Sequence, residues 1–231
     1  MKKLTKLLLA CAVSAMVAGP VNAAGLRNLR LAHALPTDHP VHTSLEWFAE
    51  QVEARTKLRI KVVPNGTLGD ENSLLQMVQS GSLAFTKVSA APLSTVSKVY
   101  NILSLPYLFT DRAQYDKVLE GKIGKEILAS SRSAGFIGLA FLDAGARSFY
   151  TSKPIREPAD LKGMKIRVQS SPISIDTMKA LGATAVPLPY GELYSALQQG
   201  VVDGAENNIP SYFSSRHYEV KPVYSYDEHT M

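Results

Sequence analysis

An alternation of strand-like and helix-like segments between residues 29 and 88 constrains the fold more than any other feature of the sequence. The strand-like segments contain apolar or alternating residues, and the helix-like segments repeat apolar residues at intervals of three or four. Strands joined by helices in this way form a sheet with helices packed on its faces. The pattern therefore predicts an α/β fold, with strands over residues 29–33, 58–63 and 83–88 and helices over residues 41–52 and 70–79.

A change of composition near residues 143–147 predicts a boundary in the chain. A continuous apolar run over residues 136–142 precedes it and is typical of a buried strand. After the boundary, short strands alternate with turns rich in proline and glycine. Before the boundary, helices are predicted over residues 111–119 and 122–131. After the boundary, the predicted strands cover residues 148–152, 165–168 and 183–186, and the predicted helices cover residues 172–181 and 189–199.

Residues 1–23 are typical of a cleavable export signal. Three lysines in the first six residues precede an apolar run over residues 7–18, and small residues around Ala23 suit cleavage before Ala24. This run is shorter than the ~20 residues that a bilayer-spanning helix needs. A membrane anchor and lipoprotein processing at Cys11 are the alternatives, and the second would leave only residues 7–10 as an apolar core. We therefore expect an exported, periplasmic protein.

Charge and cysteine content exclude several classes of protein. The chain has 25 basic and 20 acidic residues, and three of the basic residues lie in the export signal, so the remainder has 22 basic against 20 acidic residues. A protein that binds nucleic acid would need a basic stripe, and none remains. The single cysteine, Cys11, also lies in the signal. A mature chain therefore has no disulfide, cysteine-zinc site or catalytic thiol.

No motif typical of catalysis or of cofactor binding occurs in the sequence. The patterns G-x-S-x-G, G-x-x-x-x-G-K-[ST] and H-E-x-x-H are absent, so we expect a protein that is not an enzyme and uses no cofactor. Asp203 and Glu206 are a nearby carboxylate pair, but their spacing does not argue for the geometry of a glycosidase. The only histidine cluster could hold a metal by spanning a strand end, a loop and a helix start, but ordinary loop residues beside a helix cap are the favoured interpretation. Its members are His33, His39 and His42, beside Asp38.

Two arginines near the boundary and after it suit an anionic ligand. Arg167 lies inside a predicted strand, and Arg147 follows a predicted buried strand. The planar guanidinium can donate two parallel hydrogen bonds to a carboxylate. The alternative is an internal ion pair, and the sequence leaves both interpretations open. The possible internal partners are Asp160, Asp203 and Glu206.

A long ordered series of motifs resembles one family. The motifs are Leu68-Gly69, LPYLF at residues 105–109, GARSFY at 145–150, PADLKGMKIRV at 158–168, ALGA at 180–183, ELYSALQQGVVDG at 192–204 and Glu206-Asn207. Together they resemble the DctP-type solute-binding proteins of TRAP transporters, the tripartite ATP-independent periplasmic class, over residues 31–231. The resemblance implies a periplasmic-binding-protein fold of two α/β lobes, over residues 24–143 and 144–231, that close on an acidic solute. Family members continue beyond this point, so it also implies a chain that stops before its return to the first lobe.

The resemblance assigns roles to particular residues. Arg167 corresponds to the arginine that pairs with the solute carboxylate, and Arg147 corresponds to a second arginine that reaches the same region. Asn207 corresponds to an amide that orients the solute, and Tyr190 to an aromatic residue that packs over it. Glu71 corresponds to an acidic residue that reaches solute hydroxyls; a solvated glutamate in a first helical turn is the alternative.

The expected solute depends on both lobes. Ser89 lies in a loop without the charged groups of sialic-acid binders, and Ser89 and His33 would present hydroxyl and imidazole groups with no strong cation, which favours a monoacid with several hydroxyls. In the second lobe, Glu206-Asn207-Asn208 and residues 226–231 resemble members that bind sugar acids such as uronates. The resemblance therefore implies a sugar acid such as a uronate, delivered by a monomeric protein to the membrane permease subunits of a transporter. A C4-dicarboxylate binder of the same family and a ligand sensor without a transporter are the alternatives.

Overall fold

The computed structural model describes residues 27–231, so the predicted export signal lies outside the described part. Within that part, no helix is both long enough and apolar enough to cross a membrane. Two sheets organise two lobes. The first lobe contains β1 (Arg27–Ala32), α1 (Pro40–Arg55), β2 (Leu58–Val63), α2 (Glu71–Gln79), β3 (Phe85–Thr86), α3 (Ala90–Leu93), a 3-10 helix (Lys98–Ser104), α4 (Arg112–Leu119) and α5 (Lys122–Ser130), followed by a short 3-10 turn (Ser131–Ala134).

The second lobe begins with a strand that follows the predicted boundary. It contains β4 (Arg147–Thr151), β5 (Lys165–Val168), α6 (Pro172–Ala180), β6 (Thr184–Pro187), α7 (Leu193–Gln198), β7 (Gly204–Asn207), α8 (Ile209–Ser214) and β8 (Val223–Thr230), with 3-10 turns at Pro158–Leu161, Tyr190–Glu192 and His217–Glu219.

The sheet of the first lobe is parallel, with β1 between β2 and β3. Helix α1 begins at Pro40, whose fixed backbone angle suits a first helical turn. His39 precedes it and caps the helix, because its side chain accepts a hydrogen bond from the Val41 N–H. The apolar face of α1 packs on the sheet and forms one core, built from Leu31, Leu35, Val41, Leu45, Ala49 and Ile60.

The sheet of the second lobe places Arg167 on an interior strand. Its strand order is β6-β5-β7-β4-β8; β6, β5 and β7 are parallel, and β4 is antiparallel to both of its neighbours. Successive side chains of a strand point to opposite faces. Ile166 and Val168 therefore enter the core beside Met178 of α6, and Arg167 lies on the other face. The position of β5 between β6 and β7 fixes the backbone of this arginine through hydrogen bonds on both sides.

The predicted strand over residues 136–142 is wrong. This segment has no regular secondary structure, and Ile137 and Leu139 are 58% and 63% exposed. A strand needs a neighbour for its backbone N–H and C=O groups, and no strand of residues 27–231 pairs with this segment. The third predicted strand is also shorter than expected, because β3 pairs with β1 only at Phe85 and Thr86.

Candidate functional site

The two lobes meet at a buried hydrogen bond and border two adjacent cavities. His39 Nε2 of the first lobe lies 3.1 Å from Ser211 Oγ of the second lobe, and both residues are buried. A large cavity of about 1140 Å³ has lining residues from both lobes, including Lys87, Arg147 and Asn207. A small cavity of about 30 Å³ has Arg167 in its wall. Glu71, Gln169 and Tyr190 line both cavities, so the two spaces adjoin at these three residues, and we call this place the passage.

Arg167 is a buried cation with unused hydrogen-bond donors. It is 2% exposed, and its Nε and Nη2 donate to the carbonyl oxygen of Leu188 at 3.0 and 2.8 Å. Its Nη1 is buried and has no hydrogen-bond partner among the described residues. The Tyr190 ring lies 5.9 Å from the guanidinium carbon. Burial lowers the pKa of Arg167, but an arginine remains charged because its pKa starts so high.

The internal ion pairs considered for Arg167 do not form in this structure. Asp160 accepts hydrogen bonds from the backbone of residues 156 and 157, and Asp203 accepts one from the Lys165 N–H. Glu206 pairs with Arg147 instead. An uncompensated cation with a free N–H edge is costly to bury. The small cavity beside it therefore suits an anion.

Arg147 belongs to a buried network of alternating charges. Its Nε donates to one carboxylate oxygen of Glu206, its Nη2 donates to the other at 2.9 Å, and its Nη1 donates to Asn207 Oδ1 at 2.8 Å. His229 Nε2 lies 3.6 Å from Glu206, and its Nδ1 lies 2.6 Å from Asp227 Oδ2. The network therefore joins two cations to two carboxylates. Arg147 is held mainly by protein groups, in contrast to Arg167.

The charges in this network stabilise one another. Burial alone would raise the pKa of Glu206, but Arg147 and His229 outweigh burial and lower it to about 2. Burial alone would lower the pKa of His229, but Asp227 and Glu206 raise it to about 9. At neutral pH the carboxylate is therefore ionised and the imidazole is protonated.

Asn207 presents a fixed amide to the large cavity. Its Oδ1 accepts from Arg147 and from the Asn208 N–H at 2.9 Å. Both acceptor directions are therefore used on the protein side, so the Asn207 NH₂ group faces away from Arg147. Asn207 lines the large cavity. Its NH₂ group makes no hydrogen bond with another described residue, so it is available as a donor to a ligand in that space.

The first lobe contributes a compact polar cluster of Glu71, Lys87 and Ser89. Glu71 Oε1 accepts from Lys87 Nζ at 3.2 Å, from the Ser89 N–H at 2.9 Å and from Ser89 Oγ at 3.0 Å. Burial would raise the pKa of Glu71, but Lys87 and Ser89 outweigh it and lower that pKa. These bonds all converge on Oε1, so Oε2 remains an acceptor for another group. The expectation of a first lobe without a strong cation is wrong, because Lys87 lines the large cavity.

Tyr190 and His33 differ in their relation to the cavities. The Tyr190 hydroxyl lies 2.6 Å from Ser215 Oγ, and its ring forms part of the passage. His33 is fully buried and lines neither cavity. Its Nδ1 accepts from the Leu35 N–H, and its Nε2 lies 3.0 Å from His42 Nδ1. Within residues 27–231, no group of three or more metal-binding side chains is placed to hold an ion.

Three buried histidines predict a pH dependence of stability. Burial is the largest cause that lowers the pKa of His33, His39 and His217 to about 4. Between about pH 6.5 and 4 the unfolded chain therefore binds more protons than the folded chain at these positions, and stability falls as the pH decreases. We expect the free energy of unfolding in urea to decrease by a few kcal/mol across this window.

His217→Gln offers a matched control for the pH dependence. Glutamine keeps an acceptor for the Tyr150 hydroxyl, which lies 2.9 Å from His217 Nδ1, but cannot gain a proton in this range. The slope of stability against pH should therefore become shallower in this variant. Glu206 contributes to the slope below about pH 4.5 and His229 above about pH 6.5, and both are present in the wild type and the variant, so the difference between the two slopes reports on His217. An unchanged slope in His217→Gln would contradict the assignment.

The sequence patterns predict no functional role for four residues near the cavities or between the lobes. They are Lys87, Gln169, His229 and His39, and the role that was missed for His39 is its contact with the other lobe. Lys87 and Gln169 each lie close in sequence to an expected site residue, Ser89 and Arg167. Alternation along the strand could have placed Gln169 on the same face as Arg167. The partners of His39 and His229 lie far away in sequence, and local patterns contain no signal for such contacts.

Known proteins with similar sequences and structures include solute-binding proteins. An uncharacterized protein of Salmonella typhimurium is 41% identical over 87% of this chain, and the chain spans 63% of its length. The 2,3-diketo-L-gulonate-binding periplasmic protein of Escherichia coli is 30% identical over 98% of this chain and 70% of its own. A TRAP periplasmic solute-binding protein from Xanthobacter autotrophicus, solved with β-D-galacturonate, is 45% identical with a TM-score of 0.85, over 88% of this chain and 69% of that chain.

The family model agrees with these comparisons and with the two-lobed fold. It describes bacterial extracellular solute-binding proteins of family 7, DctP, and matches residues 31–231. This range includes the end of β1, all the other strands and every residue that lines either cavity. The chain therefore belongs to the DctP family of bacterial extracellular solute-binding proteins.

Proposed function

We propose that this chain captures a small organic acid by pairing its carboxylate with Arg167. The observation that carries the proposal is the buried Nη1 of Arg167, which has no partner within residues 27–231. A carboxylate in the small cavity would accept hydrogen bonds from this group and compensate the buried charge. The cavity of about 30 Å³ has room for about two water molecules, which is comparable to a carboxylate group.

A sugar acid suits the rest of the site better than a simple acid. Glu71 supplies an acceptor at the passage, and Asn207 supplies a donor in the large cavity. Solute hydroxyls can satisfy groups of both kinds, whereas an apolar ligand would leave them unpaired. The Xanthobacter relative, solved with β-D-galacturonate, and the E. coli relative, which binds 2,3-diketo-L-gulonate, support this substrate class.

A C4-dicarboxylate is the second candidate, because Lys87 could meet a second carboxylate. Lys87 Nζ already lies 3.2 Å from Glu71, however, and the side chains of both are mostly buried. A second carboxylate would have to compete with Glu71 for this cation and would be repelled by it. The balance of charge therefore favours a monoacid with hydroxyls.

The wider role follows from family membership. We propose that the protein works in the periplasm after export and hands its solute to membrane permease subunits, acting as a monomer and without catalysis. A solute sensor without a transporter is the alternative. Recovery of the bound acid unchanged, checked by NMR after release, would separate binding from turnover.

A ligand panel tests the proposed function. We expect D-galacturonate or D-glucuronate to raise the melting temperature of the chain, because a ligand at about 100 times its dissociation constant adds ~2.7 kcal/mol of stability. Succinate and malate should give smaller shifts at equal concentration. Isothermal titration would rank the affinities. A dicarboxylate that binds more tightly than every sugar acid, or a panel without any binding, would contradict the proposal.

A further inference from the structure

Gln169 is a polar residue at the passage between the two cavities without a partner in the protein. It follows the last residue of β5 and is partly buried. Arg167 and Ser171 on either side are hydrogen-bonded within the protein. The side-chain amide of Gln169 forms no hydrogen bond with any other residue of the described part. Its donors and acceptor are therefore available to a ligand.

The walls of the two cavities place Gln169 beside the same ligand as Arg167. Both residues line the small cavity, and Gln169 directly follows β5, two residues after Arg167. Arg167 lies in the wall of the small cavity only, and Gln169 lies in the walls of both. A molecule whose carboxylate occupies the small cavity and whose body extends into the large one would lie beside Gln169.

We propose that Gln169 recognises the oxygen on the carbon next to the ligand carboxylate and so selects acids that carry one. This inference rests on the proposed function and adds a specificity residue to it. The spacing supports it, because Gln169 is two residues, at most about 7 Å of backbone, from the arginine that would hold the carboxylate. A primary amide can donate to a hydroxyl or ring oxygen and can accept from a hydroxyl.

The other residues of the passage fit this division of roles. Glu71 Oε1 is held by Lys87 and Ser89, so the first lobe offers a charged acceptor from the opposite side. Tyr190 uses its hydroxyl on Ser215 and on the carbonyl oxygen of Ser211, so it offers mainly its ring. Of the three residues that line both cavities, Gln169 therefore supplies the neutral donor.

The test compares two variants on defined probes. Gln169→Leu keeps most of the side-chain volume and removes the amide, whereas Gln198→Leu is a matched control at an exposed glutamine of α7. In Gln169→Leu, we expect the affinity for D-galacturonate to fall about tenfold and the ligand-free melting temperature to change little. The wild-type chain should prefer D-gluconate over 2-deoxy-D-gluconate about tenfold, and Gln169→Leu should reduce this ratio to less than about threefold.

The outcomes of this experiment distinguish a wrong assignment of Gln169 from a wrong proposed function. A loss below about threefold on D-galacturonate, or an unchanged gluconate ratio in Gln169→Leu, would overturn the assignment of Gln169 and leave the proposed function intact. An equal loss in Gln198→Leu would also overturn it, because the effect would not depend on the passage. Failure of the wild-type chain to bind any of these acids would overturn the proposed function and this inference with it.

Discussion

Replacing Arg167 with alanine is expected to weaken sugar-acid binding by two to four powers of ten. Each hydrogen bond to a charged group contributes ~1.5–3 kcal/mol, so loss of a two-point contact costs roughly 3–5 kcal/mol. Alanine also removes both donors to the carbonyl oxygen of Leu188, so the ligand-free protein should become less stable. Isothermal titration measures the loss of affinity, and ligand-free melts measure the loss of stability.

Lysine at position 167 separates the role of charge from that of shape. It keeps a cation but has no planar fork, so Arg167→Lys should recover only part of the lost affinity. Arg156→Lys, at an exposed arginine of the same lobe, is the matched control. Affinity that stays within threefold of the wild type in Arg167→Lys, with only the melting temperature reduced, would mean that Arg167 supports the fold and not the ligand.

Removing the charge of Glu206 is expected to be the most destabilising single change in the second lobe. Glu206→Gln leaves Arg147 and His229 buried beside an uncharged amide, with only Asp227 as a carboxylate partner. Breaking a buried ion pair in this way costs roughly 3–5 kcal/mol. The free energy of unfolding in urea should decrease by about that amount at pH 7.

A double variant tests the cause of this destabilisation. Arg147→Met with Glu206→Leu removes both members of the pair and replaces them with apolar groups, so it should be less destabilising than the sum of the single changes. Asp176→Asn, which breaks an exposed ion pair with Lys179, should have little effect. If Glu206→Gln were as mild as Asp176→Asn, the network would not contribute as described.

The placement of Arg167 could be predicted from the sequence because it depends on local pattern. The alternation of Ile166, Arg167 and Val168 puts two apolar side chains in the core and the arginine on the other face. Ser171 and Pro172 likewise form the expected start of α6, with the Ser171 side chain as its cap. The sequence pattern is strong at these positions because burial and helix capping act on the same few residues.

Contacts between distant residues could be predicted only in part, because the sequence offered Glu206 as an internal partner of the two arginines but did not indicate which of them it pairs with. Arg147 pairs with Glu206 and Asn207 because β4 and β7 are adjacent and antiparallel, with Ser148 opposite Asn207. No local pattern specifies that register. The apolar run over residues 136–142 was misleading because hydrophobicity predicts burial, whereas a strand also requires a partner for its backbone.

The most direct test of the central claim is a crystal structure of this chain with D-galacturonate. We expect the sugar-acid carboxylate to lie in the small cavity, within about 2.7–3.1 Å of Arg167 Nη1. Glu71 and Asn207 should contact hydroxyl groups on the same molecule. A carboxylate bound to Lys87 or Arg147, with Arg167 Nη1 still unpaired, would contradict this account.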